Sequence, residues 1–275
     1  MTPSDDQRGP LYSGVTSVFD HLLGWSKYNM VRFRNRTALG LMPVHPNDVF
    51  VSSYPRSGST WLRTIITNAI VPDARGRSAV VNDTIPDLGL RNVGSVARRS
   101  PPRFIKTHSL YEPAISRAIL LVRDVRDVIV SMYHYYVDRR SNSSISFERF
   151  LARYRKRVYG PRWKEHLSTW ARAIDEGADV KTLKFRDLKE DTSAVVDELV
   201  DYMGIEPVCS TEEAIRYASF NWLKELERRR TGIENDEEAF YRSGEVGGWE
   251  EKLNCAEGDM FLQEVGPQLR SWGFG

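Results

Sequence analysis

The sequence predicts an α/β fold: a single domain with a central, mainly parallel sheet flanked by helices. Short runs rich in β-branched and aromatic residues alternate along the chain with stretches of helical periodicity. The 275 residues are within the range of one α/β domain, so we expect a single domain over 1–275. Hydrophobic residues make up 41% of the chain and charged residues 28%, which is typical of a globular protein with a packed core.

Four segments carry the strand pattern, and they are Val49–Ser53, Arg103–Thr107, Ala118–Val122 and Val180–Phe185. Between them, Trp61, Ile65 and Ala69 lie on one face of a first predicted helix that runs to Ile70. Asp124 is placed to cap a second helix through Tyr136, and Thr192 or Ser193 a third that ends at Gly204. Parallel sheets of this kind bind ligands at the carboxyl ends of their strands.

Three stretches lack clear periodicity. The first forty residues are weakly patterned, and we expect them to be partly mobile. Residues 72–102 are rich in Pro, Gly and Arg, and residues 228–249 are charged and rich in Gly. Both are long for simple connections, so we expect them to form lids or acceptor-binding loops.

Composition narrows the possible partners. The balance of 39 basic and 37 acidic side chains gives a net charge of +2, too even to indicate nucleic acid as the partner. No segment approaches the roughly 18 apolar residues that span a bilayer, and the N-terminus does not read as a secretory signal, so we expect no membrane association. Cys209 and Cys255 form neither a disulfide framework nor a metal motif. A cytoplasmic protein is the default expectation.

The stretch "YPRSGSTW", residues 54–61, joins the first strand to the first helix. A turn of small residues before a helix presents unpaired backbone N–H groups at the positive end of the helix dipole, which favours an anion. Gly58 permits close approach of the backbone, Ser57, Ser59 and Thr60 add hydroxyl groups, and Arg56 adds a fixed charge. The alternative is that Ser59 or Thr60 simply caps the helix. The Walker A pattern is not met, because no GK[ST] follows Gly58.

Polar residues also follow the next two strands. "RFIKTHSL" brings Lys106 and His108 to the same edge, with alternate side chains that share a face of the sheet. "AILLVRDVRDVIVSMYHYY" places Arg123 at a strand end and Ser131 about two helical turns later. A cation at a helix start is unfavourable, which favours an anionic ligand beside Arg123. A lone histidine on a strand could instead be structural, and Arg123 could instead be a surface cation near a helix start.

At this point the sequence resembles a known family, the cytosolic-type sulfotransferases that use 3′-phosphoadenosine-5′-phosphosulfate (PAPS). Their phosphosulfate loop reads like YPKSGTTW, their catalytic strand reads KTH, and their 3′-phosphate segment is similar to "VRDVRDVIVSMYHYY". The late pattern RKGxxGDWK is similar to residues 242–249, "RSGEVGGW". Four blocks in family order cover about residues 48–250. The resemblance therefore implies a P-loop-like nucleotide-binding core.

The resemblance also implies roles for individual residues. Arg56 and the backbone of residues 57–60 would hold the 5′-phosphosulfate, and the 3′-phosphate would be held by Arg123, Ser131, Arg242, Ser243 and Gly244. The aromatic residues at the adenine would be Trp61, Phe185 and Phe220, although core packing is the alternative for all three. His108 would be the general base. Lys106 and Arg56 would stabilise the leaving oxygen, and Ser131 would restrain one of them.

Several positions depart from the family pattern. Arg56 replaces a lysine, so it keeps the charge but cannot act as a proton donor. Phe185 stands where many members have tyrosine, and Ser243 where lysine is frequent, so weaker cofactor binding is expected. The family dimer motif KxxxTVxxxE is not recognisable in "WEEKLNCAEGDM", which leaves the oligomeric state open.

The function predicted from these residues is sulfuryl transfer from PAPS to a hydroxyl acceptor, with adenosine 3′,5′-bisphosphate (PAP) as product and no metal. The aromatic residues Tyr133, Tyr135, Tyr136, Tyr159, Phe240 and Tyr241 favour a small phenol or alcohol as acceptor. A saccharide or amine acceptor, a protein or glycan acceptor, and a magnesium-dependent phosphotransferase using ATP stay open as alternatives. An RNA-binding module is a further alternative, but no RNA-recognition motif is apparent.

Overall fold

A computed structural model of the chain describes residues 38–88, 93–137, 146–154, 160–232, 240–241 and 244–253, together with 263, 266–267 and 270–274. The strands are β1 (Val49–Ser53), β2 (Phe104–Thr107), β3 (Arg117–Val122) and β4 (Asp179–Lys184). The helices are α1 (Ser59–Ile70), α2 (Ser78–Thr84), α3 (Val93–Ala97), α4 (Val125–Val137), α5 (Phe147–Tyr154), α6 (Gly160–Asp175), α7 (Phe185–Glu190), α8 (Thr192–Met203), α9 (Thr211–Arg216) and α10 (Phe220–Thr231). A 3₁₀ turn follows at Gly248–Glu251.

The four strands form one parallel sheet in the order β2-β1-β3-β4. β1 lies in the interior and is hydrogen-bonded to β2 on one side and to β3 on the other. All carboxyl ends therefore meet at one edge, and the chain leaves β1 at the point where the strand order reverses, the usual ligand site of such sheets. The predicted α/β class with a central parallel sheet is confirmed.

Strands β1 and β3 are buried on both faces because their successive side chains alternate between two apolar clusters. Phe50 and Leu120 belong to the cluster that includes Trp163 and Trp170 of α6. Their neighbours Val51 and Ile119 belong to the second cluster, which contains the apolar face of α1. This explains why β1 and β3 read as continuous apolar runs rather than alternating ones.

Some boundaries differ from the predicted ones. Phe185, expected to end the fourth strand, is the first residue of α7. The N-cap of α8 is Asp191, whose carboxylate accepts a hydrogen bond from Ala194 N at 3.0 Å, so the prediction of Thr192 or Ser193 as the cap is wrong. Segment 72–102 contains two short helices, α2 and α3, and residues 228–231 are the last turn of α10.

The predicted mobile segment 1–40 falls almost wholly outside the described residues, as do Arg242, Ser243, Tyr159 and Cys255. None of the described helices is long and apolar enough to cross a membrane.

Candidate active site

The turn between β1 and α1 has a backbone that constrains its sequence. Arg56 and Gly58 both have positive φ, 69° and 99°. A Cβ at Gly58 would lie 2.5 Å from Cε2 of Phe185, so a glycine is required on two grounds. Gly58 is also the N-cap of α1, and no side chain among the described residues caps this helix, so neither Ser59 nor Thr60 serves as its cap. The N–H groups of Ser59 and Thr60, which precede the first helical hydrogen bond from Trp61 N to the carbonyl oxygen of Gly58, are therefore the ones available to a ligand.

Ser57, in the same turn, is buried, and its Oγ has no hydrogen-bond partner in the described part of the chain. An unsatisfied buried hydroxyl is costly unless a ligand or water supplies the missing bond. The turn thus combines helix N–H groups, an unsatisfied hydroxyl and a glycine that leaves the backbone accessible. These features fit the oxygens of a phosphate or sulfate group.

Arg56 is held by α4 and by the late segment of the chain. Its Nε donates to Oγ of Ser131 at 3.2 Å. Its guanidinium carbon lies 4.6 Å from the ring centroid of Tyr135 and 5.0 Å from that of Phe240. Cation–π contacts of this kind stabilise a charged group without neutralising it. These contacts hold the guanidinium of Arg56 at the rim of the turn.

Lys106 lies near the end of β2 and forms a buried ion pair. Its Nζ is 2.6 Å from Oδ2 of Asp87, and both side chains are 9% exposed. Burial lowers the pKa of Lys106, and the carboxylate of Asp87 opposes that shift. The cations Arg63 and Arg56 act with burial to lower this pKa. Asp87, Arg63 and Lys106 thus form one coupled cluster.

His108 lies just past the end of β2, against the end of β1. Its Nδ1 is 2.6 Å from the carbonyl oxygen of Ser53. Because a carbonyl can only accept, Nδ1 must carry the hydrogen, and Nε2 is left as the basic nitrogen. Burial, with a contribution from the charge of Lys106, lowers the pKa of His108 to about 4. The imidazole is therefore neutral at pH 7 and able to accept a proton.

Arg123 stands at the end of β3 and connects the late segment of the chain to the β1–α1 turn. Its guanidinium donates to the carbonyl oxygen of Glu245 at 2.7 Å and to that of Arg56 at 3.4 Å. Asp127, one turn further along α4, pairs with Arg123 at 3.8 Å and accepts hydrogen bonds from the backbone N–H groups of Gly247 and Trp249. The segment 244–249 is thereby fixed over the carboxyl edge of the sheet.

The three aromatic residues predicted at the adenine form one cluster. Ring centroids are 5.9 Å apart between Trp61 and Phe185, and 5.7 Å apart between Trp61 and Phe220. Lys189, which sequence reasoning missed, lies over Trp61 and Phe220 at 5.2 and 4.8 Å. A Cβ at Gly244 would lie 1.9 Å from Phe220, so only glycine fits against this ring.

These groups surround one cavity of about 490 Å³. It brings together the predicted site residues Arg56, Gly58, Ser59, Thr60, Trp61, Lys106, His108, Arg123, Ser131, Phe185, Phe220 and Gly244. Ser57 of the same turn is buried and is not among the residues that line the cavity, and Arg242 and Ser243 are outside the described residues. The lining also contains residues that the sequence did not indicate as functional, among them Arg63, Asn82, Asp87 and Asp127.

The predicted acceptor aromatics separate into two groups. Tyr135, Phe240 and Tyr241 line the cavity. Tyr133 instead is partly buried and packs against the core, with its ring centroid 5.0 Å from that of Phe147. The side chain of Tyr136 lies outside the described part of the molecule. His134, on the same helix as Tyr135, also lines the cavity.

A family model described as "Sulfotransferase domain" matches residues 46–271. The chain belongs to the sulfotransferase family. The flavonol 3-sulfotransferase of Flaveria bidentis is 31% identical to it over 237 residues, which cover 74% of this chain and 76% of that relative. Sulfotransferase 1E1 of Rattus norvegicus is 26% identical over 231 residues, 74% of this chain and 77% of the relative. The protein is thus a PAPS-dependent sulfotransferase, an enzyme that moves a sulfuryl group to a hydroxyl acceptor.

Solved structures support the fold of this sulfotransferase. Mouse sulfotransferase SULT7A1, complexed with PAP, superimposes with a TM-score of 0.66 at 22% identity and covers 88% of this chain and 90% of its own. A retinol dehydratase, in complex with androsterone and the inactive cofactor PAP, gives a TM-score of 0.60 at 24% identity, with 83% and 82% covered. The P-loop-like core predicted from the resemblance is confirmed by this likeness.

Proposed function

We propose that the sulfotransferase transfers the sulfuryl group to the hydroxyl of a small phenol or alcohol, with His108 as the general base. The observation that carries the proposal is the hydrogen bond from His108 Nδ1 to the carbonyl oxygen of Ser53. This bond fixes the tautomer in which Nε2 is unprotonated, on a residue that lines the cavity beside Lys106. A neutral imidazole is the form that a base requires.

The residues of the β1–α1 turn suit the phosphosulfate end of PAPS, which supplies an activated sulfuryl group on a phosphate leaving group. The first N–H groups of α1, the hydroxyl of Ser57 and the charge of Arg56 would hold these oxygens. Ser131 would serve twice, as a phosphate ligand and as the residue that restrains Arg56. Ser59 and Thr60 add hydroxyl groups at the same turn.

His108 would take the acceptor's proton on Nε2 as the acceptor oxygen forms its bond to sulfur. Lys106 and Arg56 would stabilise the negative charge that develops on the bridging oxygen as its bond to sulfur breaks. Arg56 can do so by its charge alone, because a guanidinium does not give up its proton in this pH range. Positioning and electrostatics therefore account for the chemistry, and no step assigned to these side chains calls for a metal.

The other end of the cavity suits the 3′-phosphoadenosine part of PAPS. Arg123 and Ser131, with residues 242–244, would hold the 3′-phosphate, and Trp61, Phe185 and Phe220 would contact the base. Phe185 offers no hydroxyl to adenine, but the guanidinium carbon of Arg123 lies 4.3 Å from the centroid of its ring. Through that contact Phe185 helps to place the cation of the 3′-phosphate site.

The acceptor side of the cavity is aromatic, since Tyr135, Phe240 and Tyr241 line it with Met132. Such a lining favours a planar phenol or an apolar alcohol. One similar relative is named a flavonol sulfotransferase, which agrees with a phenolic acceptor. Saccharides and amines are the alternative acceptors. Other relatives are named cytosolic sulfotransferases, so we propose the cytoplasm as the location of this one.

The test is a screen for transfer of labelled sulfate from PAPS to phenols, aliphatic alcohols, amines and saccharides, with His108→Ala as the matched variant. We expect transfer to phenols or alcohols, its loss in the variant, and nearly unchanged binding of PAP by calorimetry. Substantial turnover by His108→Ala would remove His108 from the mechanism. Preference for ATP with magnesium over PAPS would favour the phosphotransferase alternative instead.

A further inference from the structure

We propose that Asp87 is a positioning residue of this sulfotransferase, which holds Nζ of Lys106 at the reaction centre and keeps it an ammonium ion. The inference rests on the proposed role of Lys106 in stabilising the leaving oxygen. Asp87 lies in segment 72–102, where no sequence motif marks it. In the fold it faces Lys106 and lines the same cavity as His108.

The backbone fixes Asp87 in register with Lys106. Lys106 N donates to the carbonyl oxygen of Pro86 at 2.9 Å, and Leu88 N donates to that of Lys106 at 2.9 Å. Residue 87 thus forms a parallel bridge with residue 106 beside β2. The two side chains leave the same side of this bridge and meet at 2.6 Å. Because backbone hydrogen bonds flank residue 87 on both sides, the carboxylate of Asp87 and the ammonium group of Lys106 have little freedom to separate.

Arg63 attaches the preceding part of the segment to the site. From α1 its guanidinium donates to Oδ1 of Asn82 at 3.0 Å and to the carbonyl oxygen of Val81 at 3.3 Å, and it also donates to that of Ile85. Residues 81–88 are therefore clamped between α1 and β2. This arrangement delivers a carboxylate to a position that already holds the cations Arg63 and Arg56.

The charges around Lys106 show why a carboxylate is needed there. Burial, Arg63 and Arg56 all favour the neutral amine, whereas Asp87 favours the ammonium. His108, which also lies beside Lys106, is neutral and adds no compensating charge. An amine without a positive charge could not stabilise a leaving oxygen. Asp87 therefore determines the pH range in which Lys106 can act.

An ion pair with a purely structural role would be as buried as one that keeps Lys106 charged for catalysis. The two roles differ instead in the pH dependence of catalysis that each predicts. We would measure kcat and KM for PAPS from pH 6 to 10 in the wild type, Asp87→Asn and Asp87→Glu. The matched control is Asp83→Asn, which removes an exposed carboxylate of the same segment that pairs with Arg99. PAP affinity and circular dichroism would report folding in each case.

We expect the alkaline limb of the kcat profile to move to lower pH by about one unit or more in Asp87→Asn, because an opposite charge at this distance shifts a pKa by that amount. kcat should fall more than KM for PAPS changes. In Asp87→Glu the limb should stay near its wild-type position, and Asp83→Asn should match the wild type. In Lys106→Arg, whose guanidinium does not titrate, Asp87→Asn should cause no shift.

The proposal would be overturned if Asp87→Asn lowered kcat equally at every pH and left the alkaline limb of the kcat profile at its wild-type position. The ion pair would then have a structural role only. Should the Asn variant not fold, Asp87→Glu decides, since a limb that moves although the carboxylate is retained contradicts the proposed role. No transfer from PAPS by the folded wild-type enzyme would instead refute the proposed function. The two failures are therefore distinguishable.

Discussion

The low pKa of His108 predicts a specific pH dependence of stability. In the unfolded chain this imidazole has its ordinary pKa of 6.5, whereas in the fold the pKa is about 4. Between these two values the unfolded state binds a proton that the folded state does not. The free energy of unfolding must therefore fall as the pH drops from 6.5 towards 4. At about 1.4 kcal/mol per pH unit, the loss caused by His108 is about 3 kcal/mol at pH 4, and about 2 kcal/mol of it is present by pH 5.

Urea unfolding of the wild type and His108→Gln at pH 7.5, 6.5, 5.5 and 5.0 measures this loss. The glutamine variant lacks the titrating ring, so its stability should fall less, and the gap between the two proteins should change by about 2 kcal/mol over the series. His45→Gln, at an exposed position, is the control and should run parallel to the wild type. Parallel curves for wild type and His108→Gln would refute the inference that the fold holds the imidazole in its neutral form.

Three further outcomes are expected. Gly58→Ala should destabilise the protein by about 2–4 kcal/mol in urea unfolding, because it adds both positive-φ strain and a clash with Phe185. Gly177 has φ 90° but no atom within 4 Å of an added Cβ, so Gly177→Ala should show the strain alone. Equal losses of stability in the two variants would contradict the clash. Arg123→Ala should weaken PAP binding by about 10- to 100-fold in calorimetry and leave the binding of ADP, which has no 3′-phosphate, unchanged; equal losses for both nucleotides would disprove the assignment. Lys106→Ala should lower kcat far more than PAP affinity, and the reverse result would assign Lys106 to binding rather than to the chemistry.

The parts of the fold that sequence patterns predicted are those with local signals. β1 and β3 are apolar runs buried on both faces, and a helix begins within a few residues of the end of each. Their composition and their boundaries are therefore sufficient to identify them as strands. The strand propensity of an aromatic residue favours Phe185 as the last residue of the fourth strand. The chain turns into α7 one residue earlier, where the ring packs on Trp61 and covers Gly58. Tertiary packing there overrides propensity.

The parts that could not be predicted depend on long-range pairing. Asp87 lies in a stretch without periodicity, and its role depends on a backbone bridge to Lys106, nineteen positions along the chain. Arg63 reads as an ordinary polar residue of α1, yet in the fold it is buried and bonded to three oxygens of residues 81–85. Lys189 likewise comes close to Trp61 only through the packing of α7. A motif marks residues that contact a ligand directly, and it says little about residues that act through another side chain.

The presence of Arg56, where the family pattern has lysine, also changes how the pH dependence of this sulfotransferase can be interpreted. If residues 56 and 106 were both lysines, two amines would be proposed to contact the leaving oxygen. A loss of activity at high pH could then come from deprotonation of either amine. Arg56 does not titrate in that range, and its guanidinium is retained by Ser131 and the ring of Tyr135. Of the two cations proposed to act on the leaving oxygen, Lys106 is the one whose charge can vary. Its charge depends on Asp87, so the arginine makes the ion pair at the end of β2 the element that sets the alkaline limit of catalysis.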